Sequence, residues 1–545
     1  MSSTTAPLPQ TGLQEAHLER ASAVRRWLTP SLCDLFLLAV IGWSFMTAGT
    51  GWSRLLWDGD TAIHIAIGDW ILDHGKIPVT DPFSFTQPNA PWIPYEWGSG
   101  VLFAKLNHAF GLKGIVFLCG VMIAVLITVL LRTMLSAGAD TLLSVLMALL
   151  ASNALLLHYH ARPHLFTLLF LALSAWIFTE DRRHRTNWIW ILPAITALWA
   201  NLHPGFVILF AYLGVLVMGS VLEGSPGAAI RYAWLALACG LATLLNPFGL
   251  GLHLDILSYL RSSGTTELIQ EFQAPTFRTQ PQLYYLGFLL LGLTVSGLHV
   301  QRKSFVEPLL LLGTAYASLT SVRHSTIFVV LAAPIVAAEL SAHWRTWIDR
   351  QPRNSAGRVL GQLSLEKRPA FSRSSPWVVA GLAAIFVWTP AALWPTDFDH
   401  KLFPVQLAAR HPELATARVF ASDQWADYLL YKNHPRQKVF YDDRNFYGEK
   451  MYQAVNGLMN GARGWPATLH QYQTTHVLTP TGSPLSDRLR ESAAWKLVDH
   501  DETAELFARR SVTSRPASFP PALAARRLPV QLARLWRPRG PSRRG

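Results

Sequence analysis

Predominantly apolar runs such as 115–131 and 283–298 recur along this chain. They approach the roughly 17–25 residues that a helix needs to cross a bilayer. Half of all residues are apolar and 15% are charged, against about a quarter charged in soluble domains. Such a chain reads as a multi-pass α-helical membrane protein, and its 21 tryptophans, many near run ends, suit the aromatic belts of membrane interfaces.

Eleven spans are expected, over about 32–50, 113–131, 140–157, 164–179, 187–202, 205–222, 229–246, 282–299, 306–320, 325–341 and 376–394. The connecting segments are of two chemical kinds. One kind is basic: Arg20, Arg25 and Arg26; Arg132; Arg182, Arg183 and Arg185; Arg231; Arg302 and Lys303; and the loop 342–375. The other holds Trp57-Asp58-Gly59-Asp60, His158 through His164, Asn201-Leu202-His203-Pro204 and Ser321-Val322-Arg323-His324. Basic short loops mark the cytoplasm. The alternation holds through all eleven spans and predicts a cytoplasmic N-terminus, with the second set of segments gathered on the outer face.

This threading divides the chain into a cytoplasmic segment 1–31, a transmembrane domain 32–394 that includes a first outer loop 51–112, an outer domain 395–512 and a basic tail 513–545. About thirty mostly polar residues precede the first apolar run, which reads as an uncleaved signal anchor. The net charge is +13, of which the tail, with eight Arg and no acid, carries +8. Anionic lipid headgroups suit such a tail better than nucleic acid, and a solvated disordered tail is the plainer reading. Cys33, Cys119 and Cys239 lie in or beside apolar runs and make no disulfide framework.

Within the first outer loop, 61–73 reads as an amphipathic helix lying on the membrane surface, its apolar face made by Ile63, Ala66, Ile67, Trp70 and Ile71. Ile65 falls off that stripe. Five prolines between 78 and 94 predict an ordered loop, and 97–110 a second helix. The segment 247–281 carries no readable pattern. Beyond residue 400, strand-like runs at 417–421, 438–441, 475–478, 495–498 and 504–508 alternate with helical stretches at 422–432 and 448–458, which predicts a small α/β domain.

The polar segments carry the candidate chemistry. Asp60 and His64 share a helical face, and burial among apolar groups would raise the basicity of Asp60 or Asp58 toward that of a general base. Both aspartates are equally suited to cap the helix, and with Glu96 they are able to ligate a divalent ion. Glu96 and Trp97 pair an acid with an aromatic ring, as in carbohydrate sites, although such an acid is equally common as the partner of a nearby Lys or Arg. Arg162 and Arg323 run against the positive-inside bias and lie beside His160, His164 and His324, a grouping suited to phosphate, although an Arg that snorkels to the headgroup region explains each as well. His203 belongs to the polar island between two spans. Tyr441-Asp442-Asp443-Arg444 ends a strand, where α/β domains place ligand sites, although a local Asp–Arg pair explains it as well.

The order Trp57-Asp58-Gly59-Asp60-Thr61, then His64, with Gly68 to Leu72, Thr80-Asp81-Pro82-Phe83-Ser84-Phe85, Pro91-Trp92, Glu96-Trp97 and finally Asp442 to Gly448, resembles the GT-C superfamily of integral-membrane glycosyltransferases, in a bacterial branch with a C-terminal outer α/β domain. The resemblance implies a polyprenyl-phosphate-linked sugar as donor and transfer to a glycan, lipid or protein acceptor on the outer face of the inner membrane. It implies that Asp60 is the base, with Asp58 its substitute. Arg162, Arg323, His160, His164, His203 and His324 would hold the leaving lipid phosphate, and His64, Glu96 and Trp97 the substrate. Asp-Gly-Asp stands where several relatives carry Asp-Glu. The competing readings are a non-catalytic protein or transporter that binds an anionic lipid or glycan, and a scaffold that recruits partners through its outer domain.

Overall fold

The structure, a computed structural model, describes residues 29–46, 51–261 and 270–510. The expectations for 1–28 and for the basic tail lie outside the described residues. Each of the eleven apolar runs is helical over most of its described length. Six helices are long and apolar enough to cross a membrane: Leu112–Ser136, Thr141–His158, His164–His184, Pro204–Leu222, Gln280–Gln301 and Val322–Asp349. The protein is a membrane protein.

Polar side chains fix where these helices begin. Ser31 and Asp34 form a reciprocal capping box at the head of Leu32–Ile41. Asp34, buried, also accepts the amide and hydroxyl of Ser375, at 3.1 and 2.6 Å, so the first apolar helix is tied to the head of Trp377–Trp388. The loop after 342 holds a further helix, Ala356–Phe371, whose Ser364 hydroxyl oxygen accepts the Thr141 amide at 2.8 Å.

Two helices, Asp60–His74 and Trp97–Phe110, stand in the first loop where the sequence places them. They touch backbone to backbone: a Cβ on Gly68 would lie 2.0 Å from the Gly100 carbonyl oxygen. The first helix differs from a surface-lying amphipathic one. Ile63, Ile65, Ala66 and Ile67 are all buried, because the helix Asp423–Lys432 packs on it from the side opposite the bundle. Ile65, anomalous on a one-sided stripe, fits a helix covered on both sides.

The C-terminal region forms a four-stranded sheet in the order β1-β2-β4-β3, with β1 Val419–Phe420, β2 His476–Pro480, β3 Trp495–His500 and β4 Ala504–Arg509. β1 and β2 are parallel, and the other pairings are antiparallel. The expected strand at 438–441 is reduced to bridges: Val439 pairs on one side with Val419 and on the other with Ser84 of the first loop. The loop is thereby stitched to the sheet. Phe85 N–H donates to the Val439 carbonyl and Val439 N–H to that of Phe83, both at 3.0 Å. Arg444 completes the seam. Its guanidinium grips Asp442 through two nitrogens and Asp81 of the first loop at 2.7 Å, all three buried, and lies over the rings of Phe83, Trp92 and Phe446.

Candidate active site

Two backbone straps set the register of the polar segments. Ala161 N–H donates to the Leu55 carbonyl and the Thr61 hydroxyl donates to the Ala161 carbonyl, both at 2.7 Å, which holds the Asp58-Gly59-Asp60 turn against the 158–164 turn. Gly59 is the N-cap of the helix, so neither aspartate caps it as expected; Asp58 Oδ1 instead accepts the Asp60 amide at 3.0 Å across the turn. Its other oxygen is free to face inward.

It faces Arg162. The guanidinium of Arg162 meets three carboxylates: Asp60 at 2.5 Å through Nε, and Asp58 at 2.9 Å and Glu271 at 2.7 Å through Nη1. Glu271 comes from the unreadable segment 247–281 and bridges onward to Arg323, whose Nε is 3.8 Å away and whose guanidinium lies over Phe272. The backbone holds this bridge too, as the Ser321 hydroxyl donates to the Glu271 carbonyl at 2.9 Å.

A second chain of contacts runs from Asp60 through histidines. His64 Nε2 lies 3.5 Å from Asp60 and 3.0 Å from Glu96, and Glu96 in turn lies 3.4 Å from His203 Nε2. His203 Nδ1 accepts the Gly205 amide at 2.9 Å. Its proton therefore sits on Nε2, pointing at Glu96. The Thr167 hydroxyl, 2.7 Å from Nδ1 and itself held by the Trp199 indole N–H, braces the ring from behind.

These contacts set the charges. Burial resists ionisation of Asp60, but Arg162 and His64 outweigh it and hold the carboxyl far below the usual carboxylate range. The same holds for Glu271, at about 2, through Arg162 and Arg323. Burial opposes a charge on His64, yet Asp60 and Glu96 raise its pKa to about 10. Burial takes His203 the other way, to about 4. The expectation that burial raises the basicity of Asp60 is thus reversed: its apolar neighbours and His64 were legible in sequence, the grip of Arg162 on it was not.

All of these groups line one cavity of about 850 Å³. His158, His160, His164 and His324 join its wall, and the C-terminal region closes it with Asp423, Tyr441, Asp443 and Tyr452. His164 Nε2 meets the His158 carbonyl at 2.7 Å and His324 Nδ1 the Ala317 carbonyl at 3.2 Å, while His160 Nδ1 is buried without a partner among the described residues. Trp97 is not in the wall; its indole donates to Asn201 Oδ1 at 3.0 Å and pins the second loop helix. A divalent ion on Asp58, Asp60 and Glu96 does not fit this arrangement. The two aspartates converge on a guanidinium, Glu96 faces two imidazoles, and among the described residues no group of three or more His, Cys, Asp or Glu is disposed to hold a metal.

Comparison with solved structures places the architecture. The Archaeoglobus fulgidus oligosaccharyltransferase tethered to an acceptor peptide with the NVT sequon aligns at a TM-score of 0.51 and 13% identity, over 82% of this chain and 68% of that one. The chain shares the fold of that structure. Archaeoglobus fulgidus AglB in complex with an inhibitory peptide and a dolichol-phosphate (TM-score 0.48, 13% identity, 82% and 69% covered) and Cupriavidus metallidurans ArnT in the apo state (0.47, 12%, 82% and 93%) are also similar. No protein-family model matches the chain, and no curated protein matches it in sequence. The first-loop aspartates, the Arg162 turn and the Arg323 turn are three segments distant in sequence that the fold brings to one cavity.

Proposed function

We propose that the protein is a membrane glycosyltransferase that moves a sugar from a polyprenyl-phosphate donor to an acceptor on the outer face of a bacterial inner membrane. The observation that carries this reading is the cavity itself, where anion-binding Arg and His groups and a face of carboxylates meet at one end of an apolar bundle with that shared fold. The oligosaccharyl transfer named for the similar Archaeoglobus fulgidus structure supports the transferase reading.

In this reading the eleven apolar helices all cross the membrane with the N-terminus inside, and 395–512 is an outer domain. Arg323, its side chain 31% exposed at the cavity, takes the donor phosphate together with His160, His164, His203 and His324, while Arg162 joins it from the carboxylate face. Asp58 and Asp60 present negative charge to the anomeric centre, where positive charge develops as the phosphate departs. His64 and Glu96 hold Asp60 in place.

Membranes carrying the protein, supplied with labelled polyprenyl-phosphate sugars, test this directly. Wild type is expected to release polyprenyl phosphate, and Asp60→Asn to release it about 100-fold more slowly or worse, as when one preorganised charge is removed from a transition state. Donor binding without release in either protein would instead identify a lipid-binding protein.

A further inference from the structure

Six carboxylates line the cavity, and they fall into two sets. Asp58, Asp60, Glu96 and Glu271 each face an arginine or a histidine. Asp423 and Asp443, both from the C-terminal region, make no ion pair with either among the described residues. Among the described residues Asp423 accepts only the neighbouring Gln424 amide, at 2.9 Å. The carboxylate of Asp443 receives no hydrogen bond or ion pair from any described residue, although it looks onto the cavity. Behind them Asp427 is fully buried; one of its oxygens lies 3.5 Å from the Asp443 amide and the other has no partner among the described residues.

Carboxylates gathered this closely without a cation share protons instead of all ionising. The groups that face Asp443 are Asp58 and Asp60 from the first loop, Arg162 from the second polar turn, and Tyr259 from the helix Leu250–Arg261. From its own region come Asp423, Asp427, Tyr441 and Tyr452. Burial first, then Asp60 and Asp423, raise the proton affinity of Asp443 well above the ordinary carboxylate range, and Arg162 opposes them only in part. A base works best when its proton affinity approaches the operating pH. Asp60, gripped by two cations, is removed from that condition.

We propose that Asp443, on the C-terminal region and not in the first loop, is the general base of the transfer, resting on the glycosyltransferase reading above. As the acceptor oxygen attacks the anomeric carbon, its O–H bond breaks and the proton passes to Asp443. The new C–O bond forms as the bond from the anomeric carbon to the phosphate oxygen breaks, and that electron pair leaves with polyprenyl phosphate. Asp443 then returns its proton to solvent. Asp60 acts through charge and through Arg162.

The experiment compares full-length wild type, Asp443→Asn, Asp443→Glu and Asp60→Asn in native membranes, which also supply the acceptors, with labelled polyprenyl-phosphate sugars as the probe. Polyprenyl phosphate release is followed from pH 4.5 to 9. Wild type is expected to lose turnover toward low pH along an acid limb as Asp443 takes up its proton. Asp443→Asn is expected to lose 100-fold or more in turnover and to lose that limb. Asp443→Glu should recover at least tenfold and shift the limb, and Asp60→Asn should be slow but keep a limb, moved toward lower pH because a charge that raises the proton affinity of Asp443 is gone. Wild-type turnover in Asp443→Asn overturns the proposal, and so does a limb in Asp443→Glu that coincides with wild type, a readout that stands even where the Asn variant fails to fold. A wild type that releases nothing from any donor overturns the glycosyltransferase reading itself.

Discussion

Arg162 shows why single residues mislead when read without partners. Its departure from the positive-inside bias marked it as functional, and the structure sets it in the cavity wall. Yet three of its directions are already taken by Asp58, Asp60 and Glu271, the last from a segment with no legible pattern and 109 positions away. The histidines were legible because each sits beside an Arg or in a polar island; Glu271 was not, because a lone acid in an irregular loop carries no spacing signal. His64 gives this cluster a pH signature. Its folded pKa of about 10 stands above the unfolded 6.5, so its contribution to stability is complete below about 6.5 and is lost as pH rises through 10. The thermal midpoint of the wild type in detergent should therefore fall more between pH 7 and 10 than that of His64→Gln.

At the scale of elements, the helix Asp60–His74 was read correctly in extent and wrongly in setting. A periodic stripe reveals one buried face; it says nothing of a second element arriving more than 350 residues later to cover the other. The close packing of this helix on Trp97–Phe110 rests on paired glycines. Gly68→Ala puts a methyl 2.0 Å from the Gly100 carbonyl, a backbone atom with little room to yield. It should lower stability by about 1–3 kcal/mol, as overpacking does. It should also cut turnover by moving His64, which thermal unfolding and release assays would read separately.

For the whole molecule, the apolar runs and the change of composition near residue 400 were enough to foresee a helical membrane body and an α/β region. The seam between the first loop and the sheet was invisible, since a strand pairing with a proline-rich loop leaves no local pattern. Arg444 holds that seam. Arg444→Met would strand Asp442 and Asp81 as buried, uncompensated charges, at a cost of about 3–5 kcal/mol. The loop should then become sensitive to limited proteolysis between residues 78 and 96 while the apolar helices stay protected.

The same seam has a consequence for how the protein is made. Thr86 donates to the carbonyl of Phe440, 354 positions later in the chain. At the usual 5–20 residues per second of synthesis, the first loop waits about 20–70 s for its partner strand. During that interval the nascent chain holds the aspartates without the wall that closes over them. A ribosome that stops early, or a protease that trims late, leaves a membrane-inserted body with no enclosed cavity, so competence arrives all at once with the last strands.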